Sequence, residues 1–228
     1  MTAFLDLCGK ASTTAKWHTL LRLVSKHSAS LGSQGTYTYA DVAEAASNLG
    51  RVDQWQSNAV LLQQLWTAAT GGKPSPVAAP SPAPSPGYYT GQEQQLAIVC
   101  ADSPNPRDLA AYAAAAAAST FAPTAAWNSF GCADWSAAAA QDRYTGPWNR
   151  PTASTILVVG NTGDPWTVYQ DSAAMSHELV HTRLQTVGGY GHTTGDNPST
   201  CAIIDVVSYT ITLPAPGTVC KQNATPFP

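Results

Sequence analysis

Six prolines fall within residues 73–87 and divide the 228-residue chain into two parts. Proline has a fixed φ and no backbone N–H, so a segment this rich in proline is excluded from helices and from the interior of a sheet. We therefore predict an extended, exposed linker at residues 73–87. It separates a first region, residues 1–72, from a second region, residues 88–228.

The region before the linker has the periodicity of amphipathic helices. Apolar side chains spaced i, i+3, i+4 and i+7 predict a helix over residues 13–28. They are Trp17, Leu20, Leu21 and Val24. Two more helices are predicted over residues 40–49 and 53–70, each followed by a glycine. Residues 1–72 are therefore expected to be helical.

Short apolar runs alternate with helical segments after the linker. We predict strands at residues 95–100, 155–160 and 183–187, and helices at residues 107–118, 169–180 and 201–209. Strands that alternate with helices form a parallel sheet joined by crossover helices. The second region is therefore expected to have an α/β fold with a partial parallel sheet.

The charge of the chain argues against several classes of partner. Charged residues make up 11% of the sequence and the net charge is −3, so no basic surface is expected to attract nucleic acid or anionic lipid. No run of about 18 apolar residues predicts a membrane span, and no secretory signal is visible in residues 1–30. We expect neither a nucleic-acid partner nor a membrane partner.

The cysteines form no C-x-x-C pair, which argues against a zinc knuckle or a thioredoxin-type redox site. They are Cys8, Cys100, Cys132, Cys201 and Cys220. Their odd number favours two disulfides and one unpaired cysteine. Five buried free thiols in a reducing compartment are the alternative.

An aspartate and a histidine follow two of the predicted strands. Asp164 lies in the glycine-containing loop after residues 155–160, and His192 lies in the loop after residues 183–187. Each residue alone is more typical of a turn, but reactive groups of open α/β sheets gather at the carboxyl ends of strands. We therefore predict that Asp164 orients His192, the base of a Ser-His-Asp triad in the chain order of α/β-hydrolases.

Residues 177–181 match the H-E-x-x-H pattern of zinc metallopeptidases. The residues of the pattern are His177, Glu178 and His181, and the candidates for a third ligand are His192, Asp196 and Asp205. The two histidines would have to share a helix that continues past the second one, whereas residues 183–187 alternate like a strand. We therefore predict no metal site and interpret the motif as the polar end of a crossover helix, with a zinc metallopeptidase as the alternative.

Several motifs of the second region resemble the C-terminal region of tripeptidyl aminopeptidase-like α/β-hydrolases. They are Asp164-Pro-x-Thr-x-Tyr169, Gly189-Tyr-Gly-His192, Ser199-Thr-Cys201 and Leu213-Pro-Ala-Pro-Gly-Thr-Val-Cys220. The resemblance runs from about Gln94 to Cys220. Residues 4–70 more weakly resemble the helical lid of these enzymes. The chain departs from the family at Val168, where proline is usual.

This resemblance implies further properties. Residues 1–72 would be the lid, residues 88–228 the C-terminal part of the catalytic domain, and the disulfides would be Cys100–Cys132 and Cys201–Cys220. Such enzymes release short peptides from the N-termini of peptides, and many relatives hydrolyse esters, without a cofactor. The resemblance also implies secretion.

The nucleophile of such enzymes lies in a G-x-S-x-G turn between a strand and a helix. No such pentapeptide occurs in the 228 residues, and removing the nucleophile costs about as much activity as removing the whole triad. We therefore expect this chain alone to be inactive as a serine hydrolase, whether as a fragment, a gene-model error or a degenerate remnant. The remaining alternative is a non-catalytic interaction module whose partner is the missing N-terminal half.

Overall fold

The computed structural model describes residues 11–47, 49–74, 92–118, 131–135, 141–214, 216 and 219–227. Cys8 and residues 75–87 of the predicted linker lie outside the described residues. The expected unpaired cysteine and the boundary between two domains therefore stay predictions.

Residues 11–74, as far as the structure describes them, contain three α-helices and a short antiparallel hairpin. Helix α1 is Ala11–Val24, strands β1 and β2 are Ala29–Ser30 and Thr36–Tyr37, helix α2 is Tyr39–Ser47, and helix α3 is Trp55–Ala69. The three predicted helices are confirmed, with ends shifted by up to four residues. We call residues 11–74 the helical region.

The core of the helical region contains the α1 face that the periodicity predicted, together with side chains of the hairpin and of α2 and α3. Its buried apolar side chains are Trp17, Leu20, Leu21, Val24, Ala29, Leu31, Val42, Ala46, Leu61 and Leu65. The central contacts join α1, α2 and α3, and Leu65 of α3 is 0% exposed. Burial of apolar area is the main source of stability in such a core.

The second part of the chain contains a parallel sheet and its crossover helices. Its elements are α4 (Gln92–Asp102), α5 (Leu109–Ala118), β3 (Ile156–Gly163), α6 (Tyr169–Glu178), β4 (Thr182–Tyr190), α7 (Thr193–Asp196), α8 (Thr200–Thr212) and β5 (Val219–Lys221). Strand β4 lies between β3 and β5 and is parallel to both. The predicted α/β fold class with a partial parallel sheet is confirmed.

The predicted strand at residues 95–100 is wrong, because these residues lie within helix α4. The run of glutamine, glutamate, leucine and alanine that opens this segment has good helix propensity, and a short apolar run cannot by itself distinguish a strand from a helix. Ile98, which a buried strand would cover, is 61% exposed. The third strand of the sheet is instead β5, a three-residue segment that the sequence did not reveal.

The helical region and the sheet meet at the carboxyl ends of β3 and β4. The Trp55 ring packs on the Tyr190 ring with centroids 5.5 Å apart, and the backbone N–H of His192 donates to the Gly50 carbonyl at 2.7 Å. None of the helices within the described ranges is long and apolar enough to cross a membrane.

Candidate functional site

The side chains of Asp164 and His192 meet beyond the ends of β3 and β4. Gly163 and Tyr190, the last residues of the two strands, are partners in the parallel register, so the loops that follow begin side by side. Nδ1 of His192 lies 3.2 Å from each carboxylate oxygen of Asp164. The structure thus brings together the two residues that the sequence singled out.

The Asp164 carboxylate is buried and well supplied with hydrogen bonds. Its side chain is 3% exposed. Oδ1 accepts from the backbone N–H groups of Trp166 and Thr167, both at 2.9 Å. Oδ2 accepts from the backbone N–H of Thr193 at 3.0 Å and from the Thr167 hydroxyl at 2.9 Å.

These hydrogen bonds determine the charge of Asp164. Burial alone raises the pKa of the carboxyl, but the N–H groups of Thr167, Thr193 and Trp166 and the Thr167 hydroxyl stabilise the anion, so the pKa lies below its ordinary value. Asp164 is therefore an anion at neutral pH. It can accept a hydrogen bond from the facing imidazole.

The His192 ring lies between the buried carboxylate and solvent. Its side chain is 25% exposed, and its ring packs on the Trp166 ring with centroids 4.9 Å apart. A carboxylate at Nδ1 favours the tautomer that carries the proton on Nδ1, which leaves Nε2 free to accept a proton. The arrangement suits a base.

In the described part of the chain, no serine or cysteine nucleophile contacts the His192 imidazole. There, the His192 imidazole has the Asp164 carboxylate and the Thr167 hydroxyl as hydrogen-bond partners, the latter at 3.4 Å. No described serine hydroxyl or cysteine thiol bonds to it. The described site supplies an orienting carboxylate and a base.

Comparison with known families defines the stretch that carries both loops. The sequence model of the TAP-like protein family matches residues 117–220. This stretch matches the C-terminal region of tripeptidyl aminopeptidase-like hydrolases. We call it the TAP-like region. The match supports a hydrolase, and it does not extend to residues 94–116 or 4–70, where the sequence also showed a resemblance. A search of curated proteins found no match.

Both disulfides that the resemblance implied are present in the structure. Cys100–Cys132 joins α4 to the short 3₁₀ helix Gly131–Asp134, and Cys201–Cys220 joins the first turn of α8 to β5. Since β5 pairs with β4, the second disulfide anchors the helix that follows the His192 loop.

The H-E-x-x-H residues do not lie on one helix. Helix α6 ends at Glu178, and His181 lies beyond it with φ 56°, where its Nδ1 is 3.0 Å from the Thr152 carbonyl oxygen. Among the described residues, the cluster of three side chains of the type that bind metals is Cys201, Asp205 and Cys220. Two of these are joined in a disulfide.

Three further residues support the Asp164–His192 pair, and the sequence assigned this role to none of them. Thr167 follows Asp164 by three positions, a spacing at which an aspartate commonly bonds to a nearby backbone N–H. Gly50 and Asn197 are different, because Asn197 Nδ2 reaches the Gly50 carbonyl across 147 residues of chain. No local pattern reveals a contact of that kind.

Proposed function

We propose that the TAP-like region supplies the carboxylate and the base of a serine hydrolase of the exopeptidase type. Asp164 is the orienting carboxylate and His192 is the general base. The substrate is a peptide with a free N-terminus, or an ester of similar shape. The observation that carries the proposal is the contact between Nδ1 of His192 and a buried Asp164 anion at the carboxyl ends of two parallel strands.

In the proposed reaction, Nε2 of His192 takes the proton of a serine hydroxyl as the oxygen attacks the carbonyl carbon of the substrate. The Asp164 anion stabilises the imidazolium that results, without itself taking the proton. His192 then gives the proton to the leaving amine or alcohol, and an acyl-enzyme remains. Water repeats the sequence to release the acid and restore the serine.

The serine for this reaction is not supplied by a G-x-S-x-G turn within the 228 residues. We therefore propose that these 228 residues alone do not hydrolyse substrate by the covalent route. The segment that completes the site is the N-terminal half of a TAP-like hydrolase, which carries the nucleophile turn.

A fluorophosphonate probe, which labels activated serines, tests this proposal. The purified 228-residue chain is expected to stay unlabelled. Co-expression with the N-terminal half of a TAP-like hydrolase that contains G-x-S-x-G is expected to produce labelling, and Asp164→Asn should slow it by about 10⁴-fold. His192→Ala should abolish labelling, whereas the matched control His177→Ala, at the exposed end of α6, should leave it unchanged.

Two results would overturn the proposal. Labelling of the purified chain alone would reveal a nucleophilic serine and contradict the proposed inactivity. Labelling that survives in His192→Ala would show that His192 is not the general base. Stoichiometric zinc that is lost in His181→Ala would instead favour the metallopeptidase alternative.

A second candidate, the non-catalytic interaction module, is favoured by the free edge of β3. Within the described part of the chain, β3 pairs with β4 alone. A cavity of about 250 Å³ adjoins β3, helix α6 and the segments that follow the two strands. It is lined by Val159, Gly160, Asn161, Asp164, Thr167, Ser172, Thr193 and Thr194. Among the described residues, the buried Oδ1 atom of Asn161 has no hydrogen-bond partner.

The edge of β3 that faces away from β4 suits an added polypeptide strand, whose N–H groups would pair with β3. The co-expression experiment separates the two candidates. Stable co-purification of the two halves without serine labelling would support the interaction module, whereas labelling that depends on His192 supports the hydrolase.

The disulfides also bear on where the protein works. Two disulfides are typical of oxidising compartments. We therefore propose an extracellular location, which expression with and without a secretory leader tests through the fraction of Cys201 and Cys220 recovered as a disulfide.

A further inference from the structure

We propose that Asn197 is a positioning residue that sets the orientation of His192 from the helical region. The inference rests on the proposed function, in which His192 is the base. It assigns to the residues around Gly50 a part in placing the imidazole against Asp164.

The main chain of His192 is held at both of its polar groups. Its N–H donates to the Gly50 carbonyl oxygen at 2.7 Å, and its carbonyl oxygen accepts from Asn197 Nδ2 at 2.9 Å. The same Nδ2 atom donates to the Gly50 carbonyl at 2.7 Å. The Asn197 amide group therefore binds both His192 and Gly50.

The other end of the Asn197 side chain is also committed to the helical region. Oδ1 accepts from the backbone N–H of Val52 at 2.8 Å. The residue is 3% exposed, so each of these bonds is shielded from water. A buried backbone group that lost its partner here would be costly.

The chemistry requires an amide at this position. Aspartate can accept from Val52 but has no N–H to donate to the two carbonyl oxygens, and alanine can do neither. Gly191, with φ 82°, allows the close approach, because a Cβ at that position would lie 2.5 Å from the Asn197 amide nitrogen. The loop is therefore shaped around the Asn197 side chain.

Asp164 and His192 are held by largely different contacts. The Asp164 carboxylate is fixed by its own loop and by the N–H of Thr193. The His192 main chain is fixed through Asn197 to residues 50–52 of the helical region. Loss of Asn197 should therefore move the imidazole relative to a carboxylate that the N–H groups of Trp166 and Thr167 still hold.

The hydrogen-bonded Nδ1–H proton of His192, observed by NMR on protein with ¹⁵N-labelled histidine, tests this inference. Asn197→Asp is expected to increase the exchange of this proton with solvent by about tenfold, the equivalent of one lost hydrogen bond. Asn197→Ala should increase it at least as much. The control Asn223→Ala removes an asparagine that bonds to Thr200 through both ends of its amide, and it should leave the His192 proton unchanged.

The Asp164→Asn variant separates failure of this inference from failure of the proposed function. If Asp164→Asn leaves the Nδ1–H signal unchanged, the carboxylate does not orient His192 and the proposed function fails. If Asp164→Asn removes the signal while both Asn197 variants match the wild type, only the role of Asn197 is overturned.

If both Asn197 variants fail to fold, amide hydrogen exchange in the wild-type chain tests whether Asn197 couples His192 to the helical region. Because Asn197 joins them, the N–H groups of Val52 and His192 are expected to open together and to show equal protection. A difference of more than about tenfold, the equivalent of one hydrogen bond, would overturn the inference.

Discussion

The helical region and the TAP-like region are stabilised in different ways. The core of the helical region contains ten buried apolar side chains, whereas the buried cluster at the sheet consists of Val187, Ala202 and Cys220 with Val159 packed against it. Helix α8 leaves Ile203, Ile204, Val207 and Ile211 exposed. Counted over the residues that the structure describes, the candidate chemistry lies in the part with the smaller apolar core, where hydrogen bonds and the Cys201–Cys220 disulfide hold the loops and strands in place.

A cavity in the helical core should have the largest effect on the free energy of unfolding. Leu65→Ala should lower the free energy of unfolding by about 2–5 kcal/mol, because Leu65 is 0% exposed and its removal leaves an apolar void. Urea titration measures this loss. The control Val60→Ala, at a position of the same helix that is 37% exposed, should cost less; an equal cost would mean that the burial is not what stabilises α3.

The next largest effect should come from the disulfide of the TAP-like region. Replacement of both Cys201 and Cys220 by serine should cost about 3 kcal/mol for a loop of this length, whose ends are 19 residues apart. Amide hydrogen exchange should show the loss in β4 and not in α3. The same replacement of Cys100 and Cys132 is the control, and it should leave exchange in β4 unchanged.

If α3 loses as much protection as β4 when Cys201 and Cys220 are replaced, the two regions unfold as one cooperative unit. The contrast between them would then describe packing but not stability.

The sequence predicted best where one local pattern determined the structure. The stripe around Leu20 and Val24 specified helix α1, and the apolar runs before Asp164 and His192 specified β3 and β4. The sequence-based prediction failed at residues 95–100, where an apolar run forms a helix. It also missed β5, which has three residues and depends on pairing with β4. Both failures arise because tertiary pairing, and not local preference, decides which short segments become strands.

The residues of the candidate site also differ in how far a local pattern reveals them. Asp164 and His192 were recognisable because each follows a strand within a few residues, although their catalytic roles stay predictions. Asn197 and Gly50 were not recognisable, because their contacts join segments 147 residues apart. A sequence shows which residues can carry chemistry more readily than which residues hold them in place.

A smaller effect is expected from the titration of Asp164. Its folded pKa lies below the ordinary value because backbone N–H groups outweigh burial, so the carboxylate contributes stability that is fully present above the unfolded pKa of about 4. That contribution is lost as the pH falls through the lower folded pKa. The difference in free energy of unfolding between wild type and Asp164→Asn should therefore shrink below about pH 4.

Asp53 provides the matched control for this titration. Its hydrogen bond to Arg51 lowers the pKa of the carboxyl as well, but the pair is exposed and screened by solvent. Asp53→Asn should therefore change the pH dependence of stability far less. Equal curves for the two variants would mean that the buried hydrogen bonds of Asp164 add nothing to the folded state.

The smallest effect is expected at the contact between the two regions. A methyl group at Gly50 would lie 2.8 Å from the Trp166 ring, which is exposed and can swing aside, so Gly50→Ala should cost less than about 1 kcal/mol. The same movement should take the Trp166 ring away from His192 and reduce the ring-current shift of the imidazole protons in NMR spectra. Gly195→Ala, whose added methyl group would lie 3.5 Å from the nearest side-chain atom, should leave that shift unchanged. An unaltered shift in Gly50→Ala would show that the helical region does not govern the environment of the imidazole through Trp166.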